Sequence, residues 1–475
     1  MEGSGIILVS IFTPLLGAFL LPLLGRISGV ARNIAALVFV LTAFVASAVA
    51  LPQAIAGTPL LYHVSLPLGF SIGFLADGLA VFMAMTSSFV AAIIVFYSYG
   101  YMLHYENKNE YYMMVVLFIG AMMGLVYSAN LIFMYVFWEI SAICCWRLIG
   151  FFREKNIVLR ADKAFLVTVG GALLMLIGFM GLYAQTGTFD LLEMKNMEIS
   201  NWIMVLILFG ILSKSATLPL HTWLPDAGVA PSPVTSLLHA AVLVKIGVYV
   251  YARLFLVNFD LAEVWHTAVP VIAAVSALVS AGAAIVENDI KRIIAYSTVS
   301  QLAFILLGLS CGTVVGAAGG LLYILMHSLA KGGLFLCAGI IEHSTHTKDI
   351  RLMGGLYRCL PATMIAFACC AFSVMGIPPF GGFFAKYMVI NGALLTGEPW
   401  LAAVFIIGAV MTLVYLTRIF VKVFFGETSH PDIHEGTWEM VSSVVLLAGL
   451  SLLGGIFISM PAQFTTLITE SLGRW

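Results

Sequence analysis

Apolar residues run along almost the whole chain in long stretches that short polar connections separate. Most stretches are about 18–25 residues long, the length that a helix needs to cross a bilayer. Strands of a membrane barrel would be about half as long and would alternate in polarity, which these do not. The pattern predicts an all-α membrane protein of about fourteen transmembrane helices, with the seventh and twelfth interrupted. They are residues 5–25, 31–52, 74–99, 111–128, 131–151, 164–185, 201–230, 234–256, 266–286, 292–311, 314–341, 361–396, 400–425 and 440–460.

Composition supports the membrane class and excludes other functions. The 475 residues are 61% hydrophobic and 9% charged, with a mean hydropathy of +1.06, far from the composition of soluble domains. A formal net charge of −1 leaves no basic surface for nucleic acid. The first apolar stretch has no basic segment ahead of it and no small-residue cleavage site, so we interpret it as a retained span rather than a signal peptide.

Positive charges divide unequally between the two sides of the predicted bundle. The even-numbered connections hold only Lys195 and Arg253, whereas the odd-numbered ones hold fourteen basic residues. Because basic loops stay in the cytoplasm, the odd connections are predicted to be cytoplasmic and both termini outside, in the cell's inner (cytoplasmic) membrane. The fourteen are Arg26, Arg32, Lys108, Arg153, Lys155, Arg160, Lys163, Lys291, Arg292, Lys348, Arg351, Arg358, Arg418 and Lys422.

Two predicted spans contain helix breakers at related places. The seventh includes SKSATLPLHTWLP, with Pro219 after Lys214, and the twelfth includes GIPPFGGFFAKY, with Pro378–Pro379 before Lys386. Proline removes a backbone donor and clashes with the preceding turn. A broken helix persists in a membrane only where protein or a wet cavity binds the freed backbone groups. Paired broken helices are typical of transporters built from inverted repeats.

The broken helices occupy the same place in two groups of five spans. If helices four to eight and nine to thirteen form two units, the broken helix is the fourth of each. Five is an odd number, so the second unit enters the membrane from the opposite side, which predicts inverted repeats. The predicted division is N-terminal helices in 1–110, a first repeat in 111–256, a second repeat in 257–425 and a last helix with its tail in 426–475.

Five charged side chains lie deep inside apolar stretches. They are Glu139, Lys214, Lys245, Lys331 and Lys386. A charge at the centre of a membrane helix costs about 2.5–3.5 kcal/mol on insertion scales, so such residues usually mark ion pathways. Because a lysine can release its proton, this set predicts a path for protons along the middle of the membrane.

The seven cysteines indicate neither a cofactor nor a disulfide framework. Cys144–Cys145 and Cys369–Cys370 are adjacent pairs in apolar helices, and no CxxC or Cys/His spacing of a metal site occurs. We expect them to be small core residues, and we expect no redox cofactor and no metal in this chain. Glu342, His343 and His346 could hold a metal, but a solvated loop is the favoured interpretation.

Four motifs resemble those of one membrane family. The stretch LSKSATLPLHTWLPDAGVAPSPVTSLLHAAVLVKIGVYVYARLF is followed by ENDIKRIIAYSTVSQLAFILLG, HSLAKGGLFLCAGI and GIPPFGGFFAKY. They are similar to the signatures of the antiporter-like proton-translocating subunits shared by respiratory complex I, membrane-bound hydrogenases and the Mrp cation/proton antiporters. The resemblance covers roughly residues 111–425 and implies fourteen helices with two inverted five-helix units.

The resemblance also implies a role for the buried polar residues. The glutamate of the fifth span would pair with the lysine of the broken seventh, and the path would continue through the eighth and eleventh spans to the second break. The residues implied in the path are Glu139, Lys214, His239, Lys245, His327, Lys331 and Lys386. Weaker candidates at the cytoplasmic side are Asp162, Lys163, Asp289 and Lys291.

Elementary energetics make an ion-pair gate plausible at Glu139 and Lys214. Opening the pair would change the free energy of the lysine's proton by roughly 4 kcal/mol. Moving one charge against ~200 mV costs about 4.6 kcal/mol, which is comparable. His327 and Lys331 are spaced i,i+4 and share a helix face, whereas His239 and Lys245 are six residues apart and would need water between them.

Structural alternatives are open for each of these residues. Glu139 and Lys214 could form a static pair that fixes helix packing, and the two lysines between the breaks could extend to the lipid headgroups. The two histidines could be hydrogen-bonded core residues, and Lys386 could line an exit cavity without titrating. For Arg147, near the cytoplasmic end of the fifth span, anchoring at the interface is favoured over conduction.

The favoured interpretation is a proton-translocating subunit, itself without a redox centre, of a redox-driven complex of the NADH:quinone or hydrogenase type. The alternative is a subunit of an Mrp-type Na⁺/H⁺ antiporter. A single-chain permease for an organic solute would need a substrate pocket rather than a file of charges. The chain ends soon after the fourteenth span, which favours a middle-sized subunit. Expected partners are homologous antiporter-like subunits, small membrane subunits, iron–sulfur redox subunits in the favoured case, protons, Na⁺ and the lipid bilayer.

Overall fold

Helices make up most of the molecule. The computed structural model describes residues 4–65, 71–427 and 432–471, and within them twelve helices are long and apolar enough to cross a membrane. The predicted all-α membrane class is therefore confirmed. The twelve are Gly5–Ile27, Gly29–Ile55, Gly78–Tyr101, Lys108–Tyr127, Leu131–Ile149, Lys155–Thr186, Ser232–Asn258, Glu263–Val286, Ile290–Ser310, Val314–Thr345, Pro399–Phe424 and Trp438–Ile456.

Some of these spans consist of two or more helical pieces, which we number in chain order. The first ten are α1 (Gly5–Gly17), α2 (Leu21–Ile27), α3 (Gly29–Val49), α4 (Leu51–Ile55), α5 (Gly78–Tyr101), α6 (Lys108–Tyr127), α7 (Leu131–Ile149), α8 (Lys155–Thr186), α9 (Asn201–Lys214) and α10 (Trp223–Asp226). The others are α11 (Ser232–Ser236), α12 (Leu243–Tyr251), α13 (Glu263–Val286), α14 (Ile290–Ser310), α15 (Val314–Thr345), α16 (Pro361–Met375), α17 (Gly381–Leu395), α18 (Pro399–Phe424), α19 (Trp438–Ile456) and α20 (Ser459–Ser471).

The two predicted breaks are present in the structure. α9 and α16 end after 14 and 15 residues, too short to span a bilayer alone. Ala216, with a φ of +50°, and Gly376, with a φ of +82°, follow the ends of these helices. A right-handed helix cannot continue through such left-handed residues. The count of fourteen, which includes both broken segments, stays a prediction.

The sixth span begins earlier than its hydropathy indicates. α8 has 32 residues, which is about 48 Å of helix, and it starts at Lys155 instead of residue 164. The predicted boundary marks only where apolar residues begin. The helix itself continues for more than two turns on the polar side, so that Arg160 and Lys163 are helical rather than in a loop.

Four short strands are present where the sequence pattern predicts none. β1 (Leu60–Ser65) pairs antiparallel with β2 (Ser71–Ala76), and β3 (Met197–Glu198) pairs parallel with β4 (Phe259–Asp260). β1, β3 and β4 lie in even-numbered connections, on the side predicted to be outside. β2 begins in such a connection and extends over residues 74–76, so the third span, predicted to begin at residue 74, begins instead at Gly78. Hydropathy misses them because each strand is short and its apolar residues merge with those of a neighbouring span.

Local structures recur at a constant interval between the two proposed units. α7 and α14 begin at residues 131 and 290, and α8 and α15 begin at 155 and 314 with 32 residues each. The same interval separates the isolated bridge Asn130–Asp190 from the bridge Asp289–Asp349. This recurrence supports two related units. Their inverted orientation and the domain boundaries stay predictions.

The helices that carry the central charges lie inside the bundle. The spans Ser232–Asn258, Ile290–Ser310 and Val314–Thr345 are almost wholly buried, whereas Gly29–Ile55 and Pro399–Phe424 expose most of their side chains. In a membrane, exposed apolar side chains face lipid or neighbouring subunits. The buried spans therefore form a protein-lined interior in which polar groups can be stabilised.

Candidate functional site

The predicted lysines and histidines are enclosed by protein. Five of these side chains have no exposed surface, and Lys386 is 4% exposed. The five are Lys214, His239, Lys245, His327 and Lys331. The alternative in which Lys245 and Lys331 extend to the lipid headgroups is therefore wrong. Glu139 is the exception, because it keeps partial exposure on α7.

Lys245 and His327 form a direct contact at the centre of the molecule. The Nζ atom of Lys245 lies 2.7 Å from Nδ1 of His327, and it also donates to the backbone oxygen of His239 at 3.0 Å. A π-helical turn at Leu237–Ala241 joins α11 to α12 and shifts the helix register between the two residues. This contact involves only the backbone of His239, so the expectation that water links the two side chains stays a prediction.

The imidazole of His239 is buried without a hydrogen bond. Both of its ring nitrogens have no partner among the residues that the structure describes, and the ring lies 4.4 Å from the ring of Phe335. The alternative of a hydrogen-bonded core histidine is wrong here. An unpaired buried polar group is costly, so this ring is available to a proton or a water molecule.

His327 and Lys331 share a helix but their side chains diverge. Lys331 Nζ donates to the hydroxyl of Ser297 at 2.6 Å and to the backbone oxygen of Ile294 at 3.1 Å, whereas His327 turns to Lys245. The Nε2 atom of His327 has no hydrogen-bond partner in the described part of the chain. The two residues therefore connect different helices, α12 and α14, to α15.

A chain of neutral polar groups continues from Lys331. The Tyr415 hydroxyl lies 2.7 Å from the hydroxyl of Ser297 and accepts a 3.3 Å hydrogen bond from the Gln301 amide. The carbonyl oxygen of Gln301 accepts a 2.6 Å hydrogen bond from Tyr323. Sequence reasoning based on charge missed this network. The signal that could have found it is Gln301, an amide inside the apolar stretch of α14.

Lys386 lies near the end of this network without a hydrogen bond to any of its described members. Its Nζ atom donates to the backbone oxygen of Val374 at 2.7 Å, a carbonyl that the end of α16 leaves free. The same atom lies 5.7 Å from the ring centre of Tyr323 and 4.6 Å from that of Phe304. Aromatic faces stabilise a nearby cation, so the two rings can stabilise a protonated Lys386, which has no acidic partner among the described residues.

The predicted ion pair between Glu139 and Lys214 is not closed in this structure. Lys214 Nζ donates instead to the backbone oxygen of Trp138 at 3.1 Å, with the indole ring centre at 5.1 Å. Within the described residues, Oε1 of Glu139 has no hydrogen-bond partner. Trp138 directly precedes Glu139, so Lys214 lies next to the backbone of Glu139. A closed pair that fixes helix packing is not formed in this structure.

Comparison with known proteins identifies the family. The family described as "NADH:quinone oxidoreductase/Mrp antiporter, TM" matches residues 128–412. The chain belongs to this family. A second family description, the N-terminus of chain 5 of NADH-ubiquinone oxidoreductase (complex I), matches residues 64–112. The resemblance of the four sequence motifs is thus confirmed.

Curated relatives of this family member are antiporter subunits. A Na⁺/H⁺ antiporter subunit from Alkalihalophilus pseudofirmus is 35% identical over 82% of the chain, and the match covers 53% of that relative. Another Na⁺/H⁺ antiporter subunit, from Staphylococcus epidermidis, is 33% identical over 83% of the chain, and the match covers 54% of it. The chain therefore spans about half the length of the curated relatives it matches.

Solved structures share the fold of this family member. A chain of the Mrp complex from Dietzia sp. DQ12-45-1b superposes with a TM-score of 0.91 at 22% identity, covering 99% of this chain and 98% of that one. A chain of the membrane-bound sulfane sulfur reductase, an archaeal respiratory membrane complex, gives 0.89 at 23% identity, with 98% and 97% covered. At these identities the likeness shows the fold alone.

Several ion pairs lie on the predicted cytoplasmic side of the buried polar residues. Asp226 binds both Lys163 and Arg292, each at 2.7 Å, and Arg292 also binds Glu287 at 2.8 Å. Burial raises the pKa of Glu287, but the hydrogen bond and charge of Arg292 and the backbone N–H groups of the two residues after Glu287 together outweigh this effect, so its pKa lies below the ordinary value. Lys163 thus belongs to a peripheral charge network.

The other weaker candidates have structural partners too. Asp162 accepts a 2.8 Å hydrogen bond from the Trp146 indole, and Asp289 caps the N-terminus of α14. Lys291, 1% exposed, forms an ion pair with Glu342. Glu342 therefore neutralises a buried lysine, and among the described residues no group of three or more His, Cys, Asp or Glu side chains could hold a metal ion.

Arg147 is part of an interfacial cluster. It forms an ion pair with Glu110, and Arg153 binds the same carboxylate at 2.7 Å. The cluster fixes α6 and α7 to the connection that follows α7. This arrangement supports the interpretation of Arg147 as an anchor.

Proposed function

We propose that the chain is a proton-translocating subunit of an Mrp-type Na⁺/H⁺ antiporter complex. The curated relatives named Na⁺/H⁺ antiporter subunits favour this alternative over the redox-driven complex that the residues alone favoured. In this proposal the partners are other membrane subunits of the same complex, both homologous and small. The chain itself would carry no redox centre.

The contact between Lys245 and His327 is the observation that carries the proton role. Two positive charges 2.7 Å apart would repel each other by about 6 kcal/mol at an effective dielectric constant of 20. The pair therefore holds one proton rather than two. Since both groups can bind a proton and they touch, the proton can pass from one to the other without crossing lipid.

The rest of the proposed path combines hydrogen bonds with two gaps that no hydrogen bond between described residues closes, one before Lys331 and one before Lys386. From this central pair a proton would reach Lys331, then Lys386 by way of the Ser297, Gln301 and Tyr323 network, which ends beside the second helix break. His239, with an unpaired ring next to the pair, would receive protons from water. The hydrogen bonds from Lys331 to Ser297 and from Tyr323 to Gln301 support the middle of this path. The gaps before Lys331 and Lys386 would be crossed by water or by side-chain movement.

Glu139 and Lys214 would form a separate gate. Lys214 lies next to the backbone of Glu139, but no hydrogen bond between described residues joins Lys214 to Lys245. Gly247 of α12 packs instead against α9, where an added Cβ would lie 2.7 Å from the Ile211 oxygen. In the proposal, a proton passes this close contact between α9 and α12 only when the two helices separate or water enters. That event couples the Glu139–Lys214 gate to the central Lys245–His327 pair.

The test uses everted vesicles that contain the full chain and its co-expressed subunits. After respiration acidifies the vesicle interior, added Na⁺ should restore the fluorescence of acridine orange. Glu139→Gln and Lys214→Ala should each abolish this response without loss of the assembled complex. The matched control is Lys195→Ala, an exposed lysine in a connection outside the path. Proton transport that follows an electron donor and ignores Na⁺ would contradict the antiporter proposal.

A further inference from the structure

A cavity at the start of α3 carries positive charge that no described acidic side chain neutralises. Its volume is about 280 Å³, and Arg32 and Lys108 both line it. Arg32 is only 6% exposed. Its guanidinium donates to the amide oxygens of Asn33 and Asn109 and lies 4.8 Å from the ring centre of Tyr112. All of these partners are electrically neutral.

Lys108 is also without an acidic partner among residues 4–65, 71–427 and 432–471. Its Nζ atom donates to the backbone oxygen of Leu103 at 2.6 Å. Glu110, two residues further along α6, is bound by Arg147 and Arg153 and so does not neutralise it. Lys108 is only partly buried, whereas Arg32 is a buried charge without a counter-charge, which is costly. A bound anion in this cavity would remove the cost at Arg32 and would also contact Lys108.

A separate apolar groove lies further along two of the same helices, α3 and α5. It measures about 580 Å³ and lies between α3, α5 and α19, with Leu37, Phe96 and Trp438 in its walls. On α3, Asn33 and Leu37 are spaced i,i+4 and therefore share a face. Tyr99 lies between the two cavities, since its hydroxyl donates to the backbone oxygen of Asn33 and its ring lies 5.6 Å from that of Phe96.

We propose that the cavity and groove together bind one anionic phospholipid. The phosphate would contact Arg32 and Lys108, and an acyl chain would lie against α3, α5 and α19. Charge complementarity decides the occupant, because an apolar helix of a neighbouring protein would fill the groove and leave both cations without a counter-charge. Basic pockets between transmembrane helices on the cytoplasmic side are suited to anionic headgroups, and Arg32 and Lys108 are on the predicted cytoplasmic side.

Native mass spectrometry of the full chain in mild detergent tests this proposal. Micelles containing phosphatidylglycerol should leave one bound lipid, and micelles with phosphatidylcholine should leave much less. Removing a basic residue near a lipid headgroup weakens binding about fivefold, so Arg32→Gln with Lys108→Gln should reduce phosphatidylglycerol retention by about 25-fold. The matched control, Arg26→Gln, removes an exposed charge on the same predicted side and should change nothing.

A second variant separates lipid binding from folding, because Arg32 also bridges to Asn109. Leu41→Trp fills the groove from a partly exposed position and keeps both cations. It should lower phosphatidylglycerol retention at unchanged thermal stability. Equal retention of the two lipids, or full retention by the double variant, would overturn the proposal. So would a photoreactive residue at position 446 of the groove that crosslinks to a neighbouring protein and not to lipid.

Discussion

Replacing His327 by alanine is expected to slow Na⁺-driven proton transport at least about tenfold. The change removes the imidazole that lies 2.7 Å from Lys245 Nζ, and among the described residues it leaves that amine with only the backbone oxygen of His239. A hydrogen bond to a charged group contributes about 1.5–3 kcal/mol. If the transfer step depends on it, the rate falls by a factor of about 10 to 150.

A second substitution at the same position distinguishes a proton carrier from a packing residue. Glutamine in His327→Gln can still accept a hydrogen bond from Lys245, but it cannot bind a proton. If His327 only positions Lys245, this variant should transport nearly as well as the wild type. If His327 carries the proton, as proposed, His327→Gln should be as slow as His327→Ala.

The assay is the recovery of acridine orange fluorescence after Na⁺ addition, with the amount of assembled complex measured on a native gel. His266→Ala is the matched control, because His266 is exposed on the predicted outer side and touches no residue of the path. Its rate should equal that of the wild type. Wild-type transport by His327→Gln in a fully assembled complex would refute the shared-proton argument.

Three further predictions concern other parts of the molecule. Gln301→Leu should reduce transport severalfold in the vesicle assay, because it interrupts the polar connection between α14 and α15, while assembly stays unchanged. Arg253→Ala leaves the carboxylate of Asp77, whose side chain is 22% exposed, without its two-hydrogen-bond partner, which should cost about 1–3 kcal/mol and lower the melting temperature in detergent. The pKa of Glu287 is lowered from its ordinary value of 4.5, so its ion pair stabilises the fold above pH 4.5. This stabilisation is lost as the pH falls through the lowered pKa. In thermal melts, Glu287→Gln should therefore make the melting temperature less dependent on pH in the acid range.

Sequence reasoning located the charged residues because charge inside an apolar stretch is a strong signal. Each lysine of the predicted path is buried, and both helix breaks occur where prolines indicate them. The partners of these residues were harder to predict. Lys245 and His327 are 82 residues apart in sequence, and only the packing of α12 against α15 brings them together.

Neutral polar groups and local irregularities were beyond the sequence pattern for a different reason. The hydroxyls of Ser297 and Tyr415 cost little to bury, so they give no signal in a hydropathy profile. The π turn at Leu237–Ala241 depends on tertiary packing, and its residues look like any apolar helix. The open state of the Glu139–Lys214 pair is a matter of side-chain geometry, which residue types alone do not fix.

The two helix breaks differ in how they bind their freed backbone groups, and this difference suggests different roles in the proposed path. At the first break, the indole of Trp223 donates to the free oxygen of Ser213 at 2.9 Å, so Lys214 is not needed as a cap and lies near an acid, Glu139. At the second break, Lys386 itself caps the oxygen of Val374 at 2.7 Å. A lysine released from capping can exchange partners, whereas one that caps a helix is held in place. The first break is therefore suited to switching and the second to holding the proton before its release.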